Sequence, residues 1–253
     1  MALALQRFRS QAFTGLWAVW TAFFLPALFV IRLAGSPEPW VRSASRVWAR
    51  GVLFGLKWLV GLTYVERGRE NIPREPALIV ANHQSTWETI AFLLLFRDVA
   101  IVTKHELLEV PIFGWFLRRS PMILIDRESG SKAIRKMAEE GATALSKGRS
   151  VLIFPEGTRS DPFAPVEFKR GVELLYAKLD CAVLPVAVDS GRYWGSGQAS
   201  KRSGTITVSY LEAIPPKMPP RISMKQAEQA IQVELNRIQG GGDEPSSARF
   251  HAS

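Results

Sequence analysis

The longest uncharged run of the chain lies near its amino terminus. Residues 12–31 carry no charged side chain, and a helix of this length spans about 30 Å, the thickness of a bilayer's hydrocarbon core. Pro26 lies inside the run and is expected to kink or break the helix, because proline lacks a backbone amide donor. A straight spanning helix, a kinked helix and a re-entrant hairpin all fit this pattern.

A cleaved signal peptide is a competing interpretation of the same run. Arg7 and Arg9 precede it, as the basic region of a signal peptide would. The run is, however, longer than the roughly 7–15 apolar residues of a signal peptide, and arginines continue beyond it at Arg32 and Arg42. These features favour a retained segment.

A second amphipathic helix is predicted over residues 43–63. At 100° per residue, Arg46, Arg50 and Lys57 lie within about 40° of one another, while apolar residues cover much of the remaining surface. The helix either packs on the following domain with a solvated basic stripe, or lies in the headgroup layer with the stripe on lipid phosphates. Its position after the long apolar run favours the second alternative.

The pattern changes from residue 64 onwards to short runs rich in valine and isoleucine that alternate with helical stretches. The predicted strands are residues 77–82, 100–104, 122–126, 150–154, 182–188 and 205–211, and the predicted helices are residues 89–96, 131–147, 171–179 and 224–238. Alternation of strands and helices, with continuously apolar strands, indicates an α/β fold. We expect a largely parallel mixed sheet covered by helices on both faces.

Three segments follow from this pattern. Residues 1–63 are predicted to form membrane-anchoring helices, residues 64–239 an α/β domain, and residues 240–253 a disordered tail rich in glycine and small polar residues.

Composition and charge narrow the function classes. The chain has 253 residues, of which 47% are apolar, and a single cysteine, so a disordered chain, a disulfide framework and a cysteine-rich zinc site are excluded. Residues 1–63 carry a net charge of +6 out of +9 and five of the eight tryptophans. Because this charge is interleaved with apolar residues, it favours an anionic membrane surface over nucleic acid. The basic flank predicts that the body of the chain after residue 40 is cytoplasmic.

Candidate catalytic residues follow the first predicted strand, in the motif NHQSTWE. His83 is placed at the end of this strand, and Glu88 in the first turn of the next helix. Glu88 could simply close a capping box with Ser85. Alternatively, its carboxylate reaches back to one ring nitrogen of His83, fixes the tautomer and leaves the other nitrogen to accept a proton.

A second motif, FPEGTRS, follows the predicted strand that begins at residue 150. Pro155 and Gly157 favour a tight turn, and Arg159 offers a bidentate fork for a phosphate or carboxylate. Lys104 and Arg127 end two other strands. In an open α/β sheet these strand ends meet at one edge, so the three cations could surround a phosphate monoester, although each could also be a solvated surface charge.

Motifs that the chain lacks exclude other chemistry. It contains no G-x-S-x-G nucleophile elbow, no phosphate-binding P-loop and no G-x-G-x-x-G dinucleotide fingerprint. Direct attack by a substrate hydroxyl that His83 deprotonates is the remaining mechanism.

These motifs together resemble the glycerophospholipid acyltransferase family, and within it the bacterial lysophosphatidic acid acyltransferases. The resemblance rests on four blocks in the family's order, over about residues 70–215: NH-x4-E, VTKHELLEVPIFG with ILIDRE, FPEGTRS, and VLPVAV. Glu88 stands where the family usually has aspartate, which lengthens the side chain by one methylene and retains the charge.

The resemblance implies a role for each matching residue. His83 would be the general base, and Glu88 its orienting carboxylate. The residues implied in binding the substrate phosphate are Lys104, Arg127, Glu156, Gly157, Thr158 and Arg159. Neither a metal nor a prosthetic group is implied.

The implied reaction transfers a fatty acyl group from acyl-CoA or acyl carrier protein to the sn-2 hydroxyl of lysophosphatidic acid, giving phosphatidic acid. The implied partners are these substrates and membrane phospholipids, with no nucleic acid, and the implied location is the inner membrane with the catalytic domain facing the cytoplasm. Two alternatives stay open. The acceptor could be glycerol-3-phosphate or a lyso-aminolipid, or the chain could be a non-catalytic protein that binds anionic lipid.

Overall fold

The computed structural model describes residues 2–96, 98–109, 113–120, 122–126, 130–197 and 200–240. Its α-helices are α1 Ala2–Phe23, α2 Leu25–Leu33, α3 Glu38–Gly55, α4 Trp87–Leu95, α5 Phe113–Arg119, α6 Gly130–Ser146, α7 Gly171–Tyr176, α8 Gly191–Trp194 and α9 Pro220–Gly240. Its strands are β1 Leu62–Arg67, β2 Leu78–Ala81, β3 Val99–Lys104, β4 Ile123–Ile125, β5 Ser150–Ile153, β6 Val183–Val188 and β7 Gly204–Tyr210.

These strands form one mixed sheet in the order β1-β7-β6-β2-β5-β3-β4. Strands β6, β2, β5, β3 and β4 run parallel to one another, while β7 is antiparallel to β6 and parallel to β1. The prediction of a largely parallel mixed sheet is therefore confirmed. The five parallel strands present their carboxyl ends at one edge, which brings the two candidate motifs to the same side of the sheet.

Helices cover both faces of the sheet, as predicted. On one face, Ile79 of β2 lies in a buried cluster with Phe13 of α1, Val52 of α3 and Phe92 of α4. On the other face, the alternate residues of β2 lie in a second cluster, to which α6, α7 and α9 contribute. Side chains of a strand point alternately to the two faces, so the uninterrupted apolar run of β2 serves both clusters.

The amino-terminal apolar run is interrupted where its proline predicted. Helix α1 ends at Phe23 and α2 begins at Leu25, with Pro26 in the first turn of α2. By length and composition, Leu3–Leu33 could cross a membrane, because it has 31 residues and contains an 18-residue window with a mean hydropathy of 1.8. The structure shows the interrupted form of this segment.

Helix α1 also packs on the rest of the protein. Phe13 is 1% exposed and belongs to the buried cluster that contains β2. Arg9 Nε donates a hydrogen bond to the Leu59 carbonyl (2.6 Å), and Trp20 Nε1 donates one to the Trp48 carbonyl (3.0 Å). The separation of residues 1–63 as a domain stays a prediction, and its helices share a core with the sheet.

The helix predicted over residues 43–63 extends less far than expected. Helix α3 is followed by a π-helical turn, Leu56–Val60, and β1 begins at Leu62. Gly61 ends the helical segment with a φ of +77°, a left-handed conformation that glycine adopts without steric strain. The prediction was therefore wrong for the last residues, which lie in an edge strand.

The predicted basic stripe of this segment is divided between two environments. Arg46 packs on the domain, because its Nε donates to the Leu93 carbonyl (3.3 Å) and its Nη2 to the Phe96 carbonyl (3.2 Å), at the end of α4. Arg50 and Lys57 are exposed. The contact of Arg46 fits packing on the domain, and the contact of Arg50 and Lys57 with lipid phosphates stays a prediction.

Other predicted elements lie within a few residues of the observed ones. Helix α7 ends at Tyr176, earlier than predicted, and α5, α8 and β1 were not predicted. Residues 241–253 of the predicted tail lie outside the described residues, and Gly240 is the last residue of α9.

Candidate active site

His83 and Glu88 face each other beyond the carboxyl end of β2. Glu88 lies in the first turn of α4, and its Oε1 is 3.8 Å from His83 Nδ1. The side chain of Glu88 is fully buried, whereas that of His83 is 13% exposed. The distance is longer than a hydrogen bond, and such contacts in a ligand-free site often tighten when substrate binds. The structure thus brings together the pair that the sequence predicted.

The Glu88 carboxylate is held by the backbone that precedes its helix. Oε1 accepts hydrogen bonds from the Gln84 amide (2.7 Å) and the Ser85 amide (3.0 Å), and Oε2 accepts one from the Ser85 hydroxyl. The Trp87 amide donates to Ser85 Oγ (2.9 Å). This reciprocal arrangement is similar to a capping box, although the helix begins one residue later, with Thr86 as its N-cap. The local role of Glu88 is therefore visible in its hydrogen bonds, and its catalytic pairing with His83 stays a prediction.

These contacts keep Glu88 ionised although it is buried. Burial alone raises the pKa of the carboxyl group, but the contact with His83 and the hydrogen bonds from Ser85 and Gln84 outweigh it and lower the pKa below 4.5. A buried negative charge beside His83 Nδ1 favours the tautomer with a proton on that nitrogen.

The loop of His83 is tied to the FPEGTRS turn. The His83 ring stacks on Phe154 at the end of β5, with ring centroids 4.1 Å apart and planes inclined by 20°. The His83 amide donates to Glu156 Oε2 (3.1 Å), and the Ser160 amide donates to the His83 carbonyl (2.8 Å). The FPEGTRS turn thus fixes the positions of both the ring and the backbone of His83.

Glu156 points into the protein. It is 6% exposed, its Oε2 lies 3.0 Å from Ser160 Oγ, and its Oε1 is buried without a hydrogen-bond partner among the described residues. Burial raises the pKa of this carboxyl group to about 7, and the negative charge of Glu88 adds to the increase. A carboxyl group in this position holds the His83 loop.

The rest of the turn faces outwards. Gly157 has a φ of +74°, and Thr158 and Arg159 are exposed. Lys169 lies across Gly157, since a Cβ atom there would meet Lys169 Cδ at 3.2 Å and Nζ at 3.3 Å. Its amide also donates to the Pro155 carbonyl (3.0 Å).

Lys169 was missed by sequence reasoning. The sequence offered no signal for it except a basic pair before a glycine. Within the described part of the chain Lys169 forms no ion pair, so its ammonium group adds an uncompensated cation beside Thr158 and Arg159.

Lys104 reaches the same edge of the sheet from β3. Strand β3 pairs with β5, where Ile101 is level with Leu152, and Lys104 is its last residue and exposed. Two strand spacings, about 10 Å, separate β3 from β2. Arg127 lies outside the described residues.

Polar residues on the β6 side complete the surroundings of the pair. Asn82 Nδ2 donates to the Val188 carbonyl and Asn82 Oδ1 accepts from the Val188 amide, both at 2.8 Å. Ser190 Oγ lies 3.1 Å from Ser85 Oγ. These contacts, which sequence reasoning missed, join the ends of β2 and β6.

The arrangement provides a histidine backed by a buried carboxylate, beside a rim of exposed cations. Such a pair can remove a proton from a hydroxyl group, and the rim can bind an anionic group of the same molecule. In the ranges that the structure describes, no three His, Cys, Asp or Glu side chains are grouped to hold a metal ion.

Comparison with known proteins identifies the class. The family model described as Acyltransferase matches residues 64–189, which contain His83, Glu88 and the FPEGTRS turn. This region, just under half of the chain, is thus similar to the Acyltransferase family.

Relatives of this chain share one name. The 1-acyl-sn-glycerol-3-phosphate acyltransferase of Pseudomonas aeruginosa is 41% identical over 161 residues, which cover 64% of this chain and 63% of that protein. The human 1-acyl-sn-glycerol-3-phosphate acyltransferase beta is 30% identical over 162 residues, covering 63% of this chain and 58% of that protein. The chain thus spans between about half and two thirds of the length of the curated relatives it matches.

A solved structure shares the fold. The crystal structure of the 1-acyl-sn-glycerophosphate (LPA) acyltransferase from Thermotoga maritima matches with a TM-score of 0.76 and 21% identity, covering 96% of this chain and 100% of that chain. This likeness confirms the architecture, including the amino-terminal helices.

Proposed function

We propose that the protein transfers a fatty acyl group from an acyl thioester to the sn-2 hydroxyl of lysophosphatidic acid, giving phosphatidic acid. The observation that carries this proposal is the buried Glu88 carboxylate 3.8 Å from His83 Nδ1, inside the region that is similar to the Acyltransferase family. Relatives named for this reaction support the choice of acceptor. The acyl donor, a thioester of coenzyme A or of acyl carrier protein, is the only co-substrate that the reaction requires.

In the proposed mechanism His83 is the general base. Its Nδ1 faces Glu88, so Nε2 accepts the proton of the acceptor hydroxyl as the oxygen attacks the thioester carbonyl. The new C–O bond forms, the C–S bond breaks, and the departing thiolate takes the proton back from the imidazolium. Such general-base assistance contributes roughly 10²–10⁴ in rate.

The exposed cations are proposed to bind the phosphate of the acceptor. Arg159 and Lys104 lie at the sheet edge beside His83, Arg127 follows β4 in the sequence, and Thr158 contributes a hydroxyl. Lys169 belongs to this group, because it crosses Gly157 in the same turn. A carboxylate repels phosphate, so the role proposed for Glu156 is to hold the His83 amide.

The proposed location is the inner membrane, with the active site at its cytoplasmic face. Large apolar side chains on α1, α2 and α3 are exposed, among them Phe8, Val19, Phe29 and Phe54. An exposed apolar patch of this extent marks a membrane or protein contact, and a lipid acceptor favours the membrane.

Replacement of His83 by alanine tests the function. The detergent-solubilised protein, given lysophosphatidic acid and a long-chain acyl thioester, should release thiol and form phosphatidic acid. His83→Ala should lower kcat at least ~100-fold, while the variant binds vesicles as the wild type does. Thiol release with glycerol-3-phosphate or a lyso-aminolipid, but not with lysophosphatidic acid, would replace the proposed acceptor. No release from folded wild-type protein with either thioester would contradict the proposal.

A further inference from the structure

Lys201 is buried between α1 and α8, away from the site described above. It is 5% exposed, and its Nζ donates a hydrogen bond to Thr14 Oγ1 (3.1 Å). The same atom lies 4.9 Å from the ring centroid of Trp194 and 5.4 Å from that of Phe13. The ammonium group therefore lies against two aromatic rings, within the distance of a cation–π contact.

No carboxylate neutralises this cation in the ranges that the structure describes, where Lys201 forms no ion pair. Burial lowers the pKa of its ammonium group. A buried charge without a partner lowers the free energy of unfolding, and an apolar residue of similar size is usually as good or better for stability. The advantage of Lys201 therefore lies in geometry, because a hydrogen bond and cation–π contacts fix a relative position that apolar packing alone allows to slip.

Lys201 fixes the position of α1 relative to Trp194, which is the last residue of α8. The Trp194 ring makes edge contacts with Phe13 (centroids 6.2 Å apart) and Trp17 (5.7 Å) of α1. The Lys201 amide also donates to Ser10 Oγ of α1 (2.9 Å). This backbone contact is independent of the Lys201 side chain, so α1 stays attached when the side chain is replaced.

Helix α8 contacts the catalytic loop at its other end. The Gly191 amide donates to Gln84 Oε1 (3.2 Å), and Ser190 Oγ lies 3.1 Å from Ser85 Oγ. The approach is close, since a Cβ atom at Gly191 would lie 2.8 Å from Gln84 Cβ. Gln84 and Ser85 supply the amides that hold the Glu88 carboxylate.

We infer that Lys201 is a positioning residue for acyl transfer: it fixes α1 against Trp194, and α8 with its N-cap Ser190 contacts the side chains of Gln84 and Ser85, whose amides bind Glu88. This inference rests on the proposed function, because it assumes that the His83–Glu88 pair performs the reaction. The aromatic contact at Trp194 and the loop contact at Gly191 are the two ends of α8, a helix of four residues.

Lys201→Met tests the inference, because it removes the charge and keeps the length of the side chain. In the full-length, detergent-solubilised protein we expect kcat to fall about 10- to 100-fold, as small misplacements of catalytic groups do. KM for lysophosphatidic acid should change less than about twofold, since the contacts of the Lys201 side chain include none of the proposed phosphate-binding residues. The melting temperature should stay equal or rise, because the unpaired buried charge is gone.

Two further variants complete the design. Lys201→Arg retains the cation and should recover most of kcat. Arg202→Met removes a cation from the adjacent exposed position and should leave kcat and KM at wild-type values. Equal kcat in Lys201→Met and Arg202→Met would overturn the inference. So would a parallel loss of kcat and melting temperature that Lys201→Arg does not recover, because that is the signature of a purely structural residue.

Hydrogen exchange separates this inference from the proposed function. Exchange at the amides of Gln84, Ser85 and Gly191 should be faster in Lys201→Met than in Arg202→Met, whether or not the protein forms phosphatidic acid. Wild-type protein that forms no phosphatidic acid would contradict the proposed function, and unchanged exchange would contradict the positioning role.

Discussion

Glu88 combines a local structural role with the orienting role that we propose for it. A carboxylate has two oxygens with several acceptor positions. Here Oε1 accepts hydrogen bonds from the amides of Gln84 and Ser85 and also faces His83. The backbone contacts and the position beside His83 are therefore compatible with each other. With the extra methylene relative to aspartate, the carboxylate oxygen lies 3.8 Å from the ring nitrogen.

Two substitutions of Glu88 separate these roles. Glu88→Gln keeps an oxygen that can accept from the two amides, but removes the charge beside His83, so kcat should fall at least ~10-fold with a small change in melting temperature. Glu88→Ala also leaves buried amide donors unpaired, at about 1–3 kcal/mol for each lost partner, and should lower the melting temperature as well. Turnover and thermal unfolding of both variants provide the measurement, and wild-type kcat in Glu88→Gln would contradict the orienting role.

Glu156 gives the protein a stability that depends on pH. Its pKa is raised from 4.5 to about 7 by burial, so between these values the folded state retains a proton that the unfolded state has lost. Its contribution is therefore most favourable below about pH 4.5, decreases as the pH rises towards 7, and changes little above that. The whole decrease amounts to roughly 3 kcal/mol.

Comparison with Glu156→Gln isolates this effect from the other titrating groups. We expect the melting temperature of the wild type, relative to that of the variant, to fall between pH 5 and pH 8. If the melting temperatures of the two proteins change equally with pH over this range, Glu156 does not titrate as its burial implies.

The site could be predicted from sequence only where its contacts are local. His83 and Glu88 lie five residues apart on a strand–helix connection, so their pairing follows from the local pattern. The hydrogen bond from the His83 amide to Glu156 joins residues 73 positions apart, and the one from Gly191 to Gln84 spans 107. Such contacts depend on which strands become neighbours in the sheet.

At the scale of elements, the position of a strand in the sheet decides whether the sequence predicts it. Strands β2 and β6 were predictable because they are buried on both faces and therefore read as continuous apolar runs. Strand β1, LTYVER, was missed because it lies at the edge of the sheet and is largely accessible. The antiparallel direction of β7 could not be predicted, because the connection between α8 and β7 carries no sequence pattern that indicates it.

Arg46 and Arg50 of α3 differ in exposure, and this difference leads to a prediction at the scale of elements. Arg46 donates to two carbonyl groups at the end of α4, whose last carbonyls lack partners within the helix. Arg46→Met should lower the free energy of unfolding by about 1–2 kcal/mol, measured by chemical or thermal unfolding. Arg50→Met, the matched control at an exposed position, should have almost no effect, and equal losses in both variants would contradict this interpretation.

At the scale of the whole molecule, exposed apolar residues are concentrated on the amino-terminal helices and the turn that follows them. Phe54 and Trp58 are both 65% exposed and lie on either side of the exposed Lys57. Aromatic residues next to cations are typical of surfaces that enter the interface of an anionic membrane. This side of the molecule is the one we expect to contact lipid.

A double substitution tests that expectation. Phe54→Glu with Trp58→Glu should lower the fraction of protein that co-floats with vesicles containing anionic lipid at least several-fold, because charged groups replace apolar area that enters the membrane. Val233→Glu on α9 changes a residue of similar exposure, 67%, and serves as the control. Equal flotation of the two variants would place the lipid contact elsewhere.

The contact of α1 with Lys201 also determines when the amino-terminal helices can reach their final place. The Lys201 amide and Ser10 are separated by 191 residues. At the usual 5–20 residues per second of synthesis, the ribosome needs about 10–40 s to make that interval. During this time α1 can already contact Trp48 and Leu59, while the part of its docking surface that Trp194 and Lys201 supply does not yet exist. The order of synthesis therefore gives a chaperone or a nearby bilayer the opportunity to cover the exposed face of these helices before the rest of the protein is complete.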